Sequence, residues 1–182
     1  MTKRPRVTPP IASGDDEPVR KCSCYLHGCP CGFYGDTTRE CRCTPAIIQR
    51  YLARISGPLL DRIDLHIEVP AVPYKEMRAD EQGASSEELR ARIQAARRIQ
   101  RERKHYNAEL PPRLLRKVCR LDEAGERTLE LAMRKLGLSA RAHDRILKVA
   151  RTIADLDAVE SVSAKHLAEA VQYRSLDRTY WV

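Results

Sequence analysis

The sequence lacks a phosphate-binding loop. No G-x-x-x-x-G-K-[ST] occurs, and none of the eight glycines is followed by lysine. Without that loop there is no backbone cradle for nucleotide phosphates and no lysine to reach them. A carboxylate at the end of a buried strand, which would hold the accompanying magnesium, is missing as well. Asp122-Glu123 follows Arg120-Leu121, not an apolar run. Tight binding of ATP by this chain alone is not expected. No apolar run approaches the roughly 20 residues needed to span a membrane, and the first residues have no apolar signal-peptide core. Strands are also scarce: one segment alone reads convincingly as a strand.

The 182 residues are enough for one domain or two small ones. Hydrophobic content of 42% permits a folded core, and charged content of 32% gives a heavily charged surface. The formal net charge of +8 favours an anionic partner such as nucleic acid or nucleotide. A solvated basic surface is the plainer alternative. Cytoplasmic residence is the default expectation, and there the seven cysteines stay reduced.

Residues 1–21 carry four prolines, clustered charges and no periodicity, so they are expected to be disordered. Cys22–Cys24, Cys29–Cys31 and Cys41–Cys43 form three C-x-C pairs. Two such pairs supply four soft ligands, the number that suits tetrahedral Zn²⁺. Free thiols or a disulfide clip are the alternatives. A four-thiolate site would be structural, since it leaves no open coordination position. Thr44 with Pro45 opens a helix to Ala53, with Ile47, Ile48, Tyr51 and Leu52 on its apolar side.

Ser56-Gly57-Pro58 then turns the chain, and Leu59 and Leu60 are expected to bury. From Ile63 the pattern alternates. Ile63, Leu65, Ile67 and Val69 share one face of an expected edge strand, and Asp64, His66 and Glu68 share the other. Pro70 ends it. A single strand needs a sheet from elsewhere. Residues 71–84 form a linker, and Ser85 with Glu88 makes a capping box for a helix to about His105. That helix carries the densest positive run, from Arg90 to Lys104, either a solvated face or a nucleic-acid contact. Four amphipathic helices follow, starting near Leu114, Glu126, Ser139 and Ser163, with Gly137 closing the second. Short loops between them imply an antiparallel bundle.

The stretch RYLARISGPLLDRIDLHIEVP, preceded by CPCGFYGDTTRECRC, resembles the magnesium-chelatase-like AAA+ ATPases of bacteria, the competence-associated ComM/YifB family. LSARAHDRILKVARTIADL and AVQYRSLDR resemble the C-terminal lid of the same family. The resemblance runs from about Cys29 to about Arg178. It implies a mainly α chain: the C-terminal end of an AAA+ α/β core, with one edge strand and a Cys-rich insertion, then a helical lid bundle. On this reading residues 22–84 are the core remnant, with Cys29, Cys31, Cys41 and Cys43 as metal ligands, and residues 85–182 are the helical segment and lid. Cys22 and Cys24 fall outside the family pattern. Arg62 takes the place of the arginine finger, which reaches a neighbouring subunit's γ-phosphate. A salt bridge to Asp61 or Asp64 is its plainer alternative. Arg141 takes the place of the lid's nucleotide sensor, and an arginine in a helix's first turn opposes the dipole.

The implied function is part of a hexameric DNA-acting motor, with ATP and Mg²⁺ bound only in a complete assembly and no hydrolysis by this chain alone. The sensor asparagine that the family carries before its cysteines is absent, with His27 and Gly28 in those places. Two other readings stand beside this one. The first is a small zinc-dependent nucleic-acid-binding module, and the second is a non-functional gene fragment.

Overall fold

The computed structural model describes residues 27–36, 39–69, 72 and 83–174. The segment expected to be disordered, Cys22, Cys24 and most of the linker lie outside the described residues, as does the end of the chain from residue 175. The chain divides into two compact units between Arg54 and Ile55.

The first unit holds the cysteine loops and α1 (Pro45–Leu52). Pro45 occupies the first turn, where its missing N–H costs nothing. Thr44 stands at the N-cap with extended backbone but makes no side-chain cap bond. Ile48, Tyr51 and Leu52 are half-buried and Ile47 is 45% exposed, so the apolar stripe of α1 has no core beneath it among the described residues.

The second unit is helical. It comprises α2 (Gly57–Leu60), α3 (Ser86–Glu102), a short 3₁₀ turn (Asn107–Glu109), α4 (Pro112–Val118), α5 (Glu123–Leu136), α6 (Ala140–Leu156) and α7 (Ala164–Gln172). Its core gathers Leu115 of α4, Leu129 of α5, Ile146, Ala150 and Ala154 of α6, and Leu167 and Ala170 of α7. Each fully buried Leu or Ile here contributes roughly 1.5–3 kcal/mol. The helix starts follow their caps. Ser85 accepts from the Glu88 amide at 3.2 Å, and the Ser85 amide donates to the Glu88 carboxylate at 2.8 Å. Asp122 accepts from the Gly125 amide at 2.7 Å. This cap starts α5 at Glu123, one turn earlier than the periodicity alone places it.

Gly137 closes α5 in the left-handed region, φ 60° and ψ 36°, with its amide bonded to the Met133 carbonyl. Nothing lies within 4 Å of where a Cβ would sit. The cost of a side chain there is therefore purely conformational. Gly137→Ala should lower stability by about 1 kcal/mol, measured by chemical denaturation, with Gly137→Asn costing less.

The expected edge strand at 63–69 does not form. No strand occurs among the described residues, and this segment is irregular. Its burial does not follow the alternation: His66 is 5% exposed, while Leu65, Ile67 and Val69 are 46%, 64% and 80% exposed, Asp64 and Glu68 are exposed, and Ile63 is half-buried. The reason is the absence of a partner ladder. Without a sheet to cover the apolar face, His66 alone of this segment is buried, and its amide donates to the Tyr173 carbonyl at 2.7 Å. The α2 turn also departs from the simple pattern, since Leu60 is buried but Leu59 is 48% exposed.

Candidate functional site

Three features carry candidate chemistry: the cysteine cluster of the first unit, and Arg62 and Arg141 of the second. In the cluster, Cys29 and Cys31 sit either side of Pro30, and the Gly32 amide donates back to the Cys29 carbonyl at 3.2 Å. Gly32 has φ +86°, which turns the chain directly after Cys31. Cys41 and Cys43 join them from the segment just before α1. All four Sγ atoms lie within 4.8 Å of one another. Cys29–Cys31, Cys31–Cys41 and Cys29–Cys41 stand at 3.2, 3.6 and 3.7 Å. None of the four is in a disulfide, which sets the clip alternative aside.

These separations suit one ion. Zn–S bonds of about 2.3 Å in a tetrahedron put sulfurs about 3.8 Å apart. Electrostatics point the same way. The Phe33 backbone amide, and next the Cys29 thiol, hold the Cys31 thiol down at about 6. At Cys41 the backbone hydrogen bond at Cys43 pulls down, but desolvation and the neighbouring Cys31 and Cys29 outweigh it and push the thiol up to about 12. Cys43 is also pushed up by desolvation and its neighbours, against its backbone bond at Cys31. Four sulfurs this close cannot all ionise unless a cation shares the charge. The residues present therefore fit a divalent soft-ligand metal such as zinc.

Arg62 lies two residues past the end of α2. The Leu59 and Leu60 carbonyls accept from the Arg62 and Ile63 amides, each at 3.0 Å, so the helical turn runs through it. Its side chain is exposed and makes no ion pair among the described residues. Both neighbouring carboxylates are engaged elsewhere. Asp61 accepts from the Ser139 hydroxyl at 2.8 Å, and Asp64 pairs with Arg145. The salt-bridge alternative for Arg62 is therefore not realised.

Arg141 stands in the first turn of α6, exposed, at the rim of a groove of ≈ 780 Å³ that also takes in Asp64, Arg145, Lys148 and Tyr173. Burial, and secondly Arg174, push the Arg145 guanidinium below the usual arginine range, with Asp61 opposing them. Arg62 and Arg141 are thus carried on segments joined by the Asp61–Ser139 hydrogen bond. Periodicity had no means of finding Arg174, which is 1% exposed and donates to the Ile63 carbonyl. A buried arginine is recognised only once its tertiary partners are in place.

Residues 83–174, about half of the chain, match the family profile described as magnesium chelatase, subunit ChlI C-terminal. The chain belongs to the magnesium chelatase ChlI family. Residues 23–77 match the profile described as magnesium chelatase, subunit ChlI. Among curated proteins, the chain is 44% identical over 151 residues to the competence protein ComM of Haemophilus influenzae, covering 82% of this chain and 29% of that protein. It is 46% identical over 139 residues to the uncharacterized protein YifB of Salmonella typhimurium, covering 75% of this chain and 28% of that protein. An uncharacterized protein of Mycobacterium bovis is 36% identical over 179 residues, covering 91% of this chain and 35% of its own length. The chain thus spans about a third or less of the relatives it matches. The mainly helical second unit agrees with the C-terminal lid of this family.

Proposed function

We propose that this chain supplies the trans-acting arginine and the lid of an AAA+ ATP site within a hexameric, DNA-acting motor. Arg62 is the finger, reaching a neighbouring subunit's γ-phosphate, and Arg141 is the lid's sensor of nucleotide. The observation that carries this reading is the state of Arg62. It is an exposed guanidinium beside two carboxylates, Asp61 and Asp64, both engaged by other groups. A permanently charged, planar fork left available at a turn suits phosphate oxygens. The four cysteines 29, 31, 41 and 43 hold a structural zinc. ATP and Mg²⁺ enter only through a phosphate loop that this sequence does not contain.

The chain alone should therefore hydrolyse no ATP above background. Turnover that survived Arg62→Ala and Arg141→Ala would place the chemistry elsewhere. The positive test is a chimera in which residues 29–174 replace the matched region of the Haemophilus protein. Arg62→Ala in that chimera should lower its ATPase rate by about 10³-fold, the scale of a lost arginine finger. An unchanged rate refutes the assignment.

A second reading is favoured by the exposed Arg90, Arg92 and Arg98 of α3, within a chain of net charge +8. On that reading the chain is a zinc-dependent nucleic-acid-binding module. Affinity of the isolated chain for duplex DNA that falls steeply with salt would support it.

A further inference from the structure

The stretch from Asp61 to His66 is tied to α6, its cap and the residues just past α7 at four points, and none of them uses Arg62. The Asp61 carboxylate accepts from the Ser139 hydroxyl at 2.8 Å. The same hydroxyl accepts from the Ala142 amide at 3.2 Å as the cap of α6, so it is held from both sides. Asp64 pairs with Arg145, one turn further along α6. The His66 amide donates to the Tyr173 carbonyl at 2.7 Å. Arg174 runs beneath the segment, 1% exposed, donating to the Ile63 carbonyl with its other terminal nitrogen 4.0 Å from Asp61.

Burying an arginine is costly unless carbonyl and carboxylate oxygens receive it. Here those oxygens belong to the residues on either side of Arg62. Through Asp61 and Ser139, Arg62 is one residue from a bond whose other end is two residues from Arg141. We propose that Asp61 and Arg174 are positioning residues that clamp the Arg62 turn to the lid, so that Arg62 and Arg141 move as one body. This rests on the reading of both arginines as phosphate contacts. It adds that the lid, and not only a preceding core, governs where the finger stands. A phosphate that draws in Arg141 would then shift the finger offered to the neighbouring subunit.

Two measurements on the intact chain test this. The first is amide exchange by NMR. Asp61→Ala and Arg174→Met should each speed exchange at His66 by at least about tenfold, while Ile146 in the middle of α6 is unchanged. Asp61→Asn, which keeps an acceptor for Ser139, should restore much of the protection. Should Arg174→Met unfold the bundle, exposing Ile146 as well, the half-buried Asp61→Ala decides the matter. Unchanged exchange at His66 in a folded Asp61→Ala overturns the clamp.

The second measurement titrates inorganic tripolyphosphate at millimolar concentration and follows the arginine Nε–Hε signals. In the unmodified chain both Arg141 and Arg62 should shift, and Arg141→Ala should abolish the Arg62 shift. Asp61→Ala should keep the Arg141 shift and lose that of Arg62. An Arg62 shift that persists in Arg141→Ala or in Asp61→Ala overturns the coupling. An Arg141 signal that never responds refutes its role as a phosphate contact and the coupling with it, while the clamp itself is still judged by His66 exchange.

Discussion

Asp155→Ala should remove about 3–5 kcal/mol from the stability of the helical unit, the cost of breaking a buried ion pair from one side. Asp155 is 1% exposed and serves three donors. One oxygen accepts from Asn107 at 2.7 Å and from Arg103, and the other from the Arg151 Nε at 3.1 Å. Arg151 is itself 2% exposed, and its remaining nitrogens donate to the Val159 and Glu160 carbonyls. One carboxylate therefore holds together the end of α3, the 3₁₀ turn, α6 and the loop into α7. Its removal leaves a guanidinium buried without countercharge, and that desolvated charge dominates the loss. Since a domain has about 5–15 kcal/mol in total, the variant should unfold at a much lower urea concentration. A double-mutant cycle with Arg151→Met should give a coupling of 0.5–3 kcal/mol, on the order expected of contacting pairs. A midpoint for Asp155→Ala equal to that of the parent chain would mean that the network adds nothing.

That network marks the limit of what the amino-acid order reveals. The helices were legible because their signals are local: Ser85 with Glu88, Ser139, Ser163 and Gly137 act within one turn of themselves. The apolar stripe of α6 was legible too, and Ile146, Ala150 and Ile153 are core residues. The cysteine ligand set follows from the family pattern, and the four sulfurs do converge. Asp155 and Arg174 look like ordinary surface charges by periodicity, because their partners Arg103, Asn107 and Ile63 lie tens of residues away in sequence, and Arg151 is paired through Asp155 and the loop carbonyls of Val159 and Glu160. The segment 63–69 failed for a related reason. Period-two alternation specifies which residues could share a strand face, but the strand itself requires a neighbour's backbone. With none among the described residues, hydrogen bonds from His66 and Arg174 set its orientation instead.

Cys41→Ser should reduce bound zinc from about one ion per chain to near zero after dialysis against a chelator. A serine hydroxyl stays protonated where a thiolate would bind, so the site drops to three soft ligands and gains an open position. The effect on folding should be large because the first unit has little else to hold it. Among its described residues, Cys29 alone is buried, and the stripe of α1 covers no core. A structural zinc contributes about 10–16 kcal/mol to such a block, far beyond what its few apolar contacts offer. In the variant, proteases should cut between residues 29 and 43, and the Gly32 amide, now bonded to the Cys29 carbonyl, should lose its protection. The helical signal of the second unit should be unaffected, since its core is built from α4 to α7. Cys119→Ser is the control: that thiol is buried in the helical core with Leu147 as its partner, so zinc content should not change. Elemental analysis of chain purified under reducing conditions without added metal decides the matter. A stoichiometry near zero in the parent chain, or one unaltered by Cys41→Ser, would leave the four thiols as a cluster without an ion.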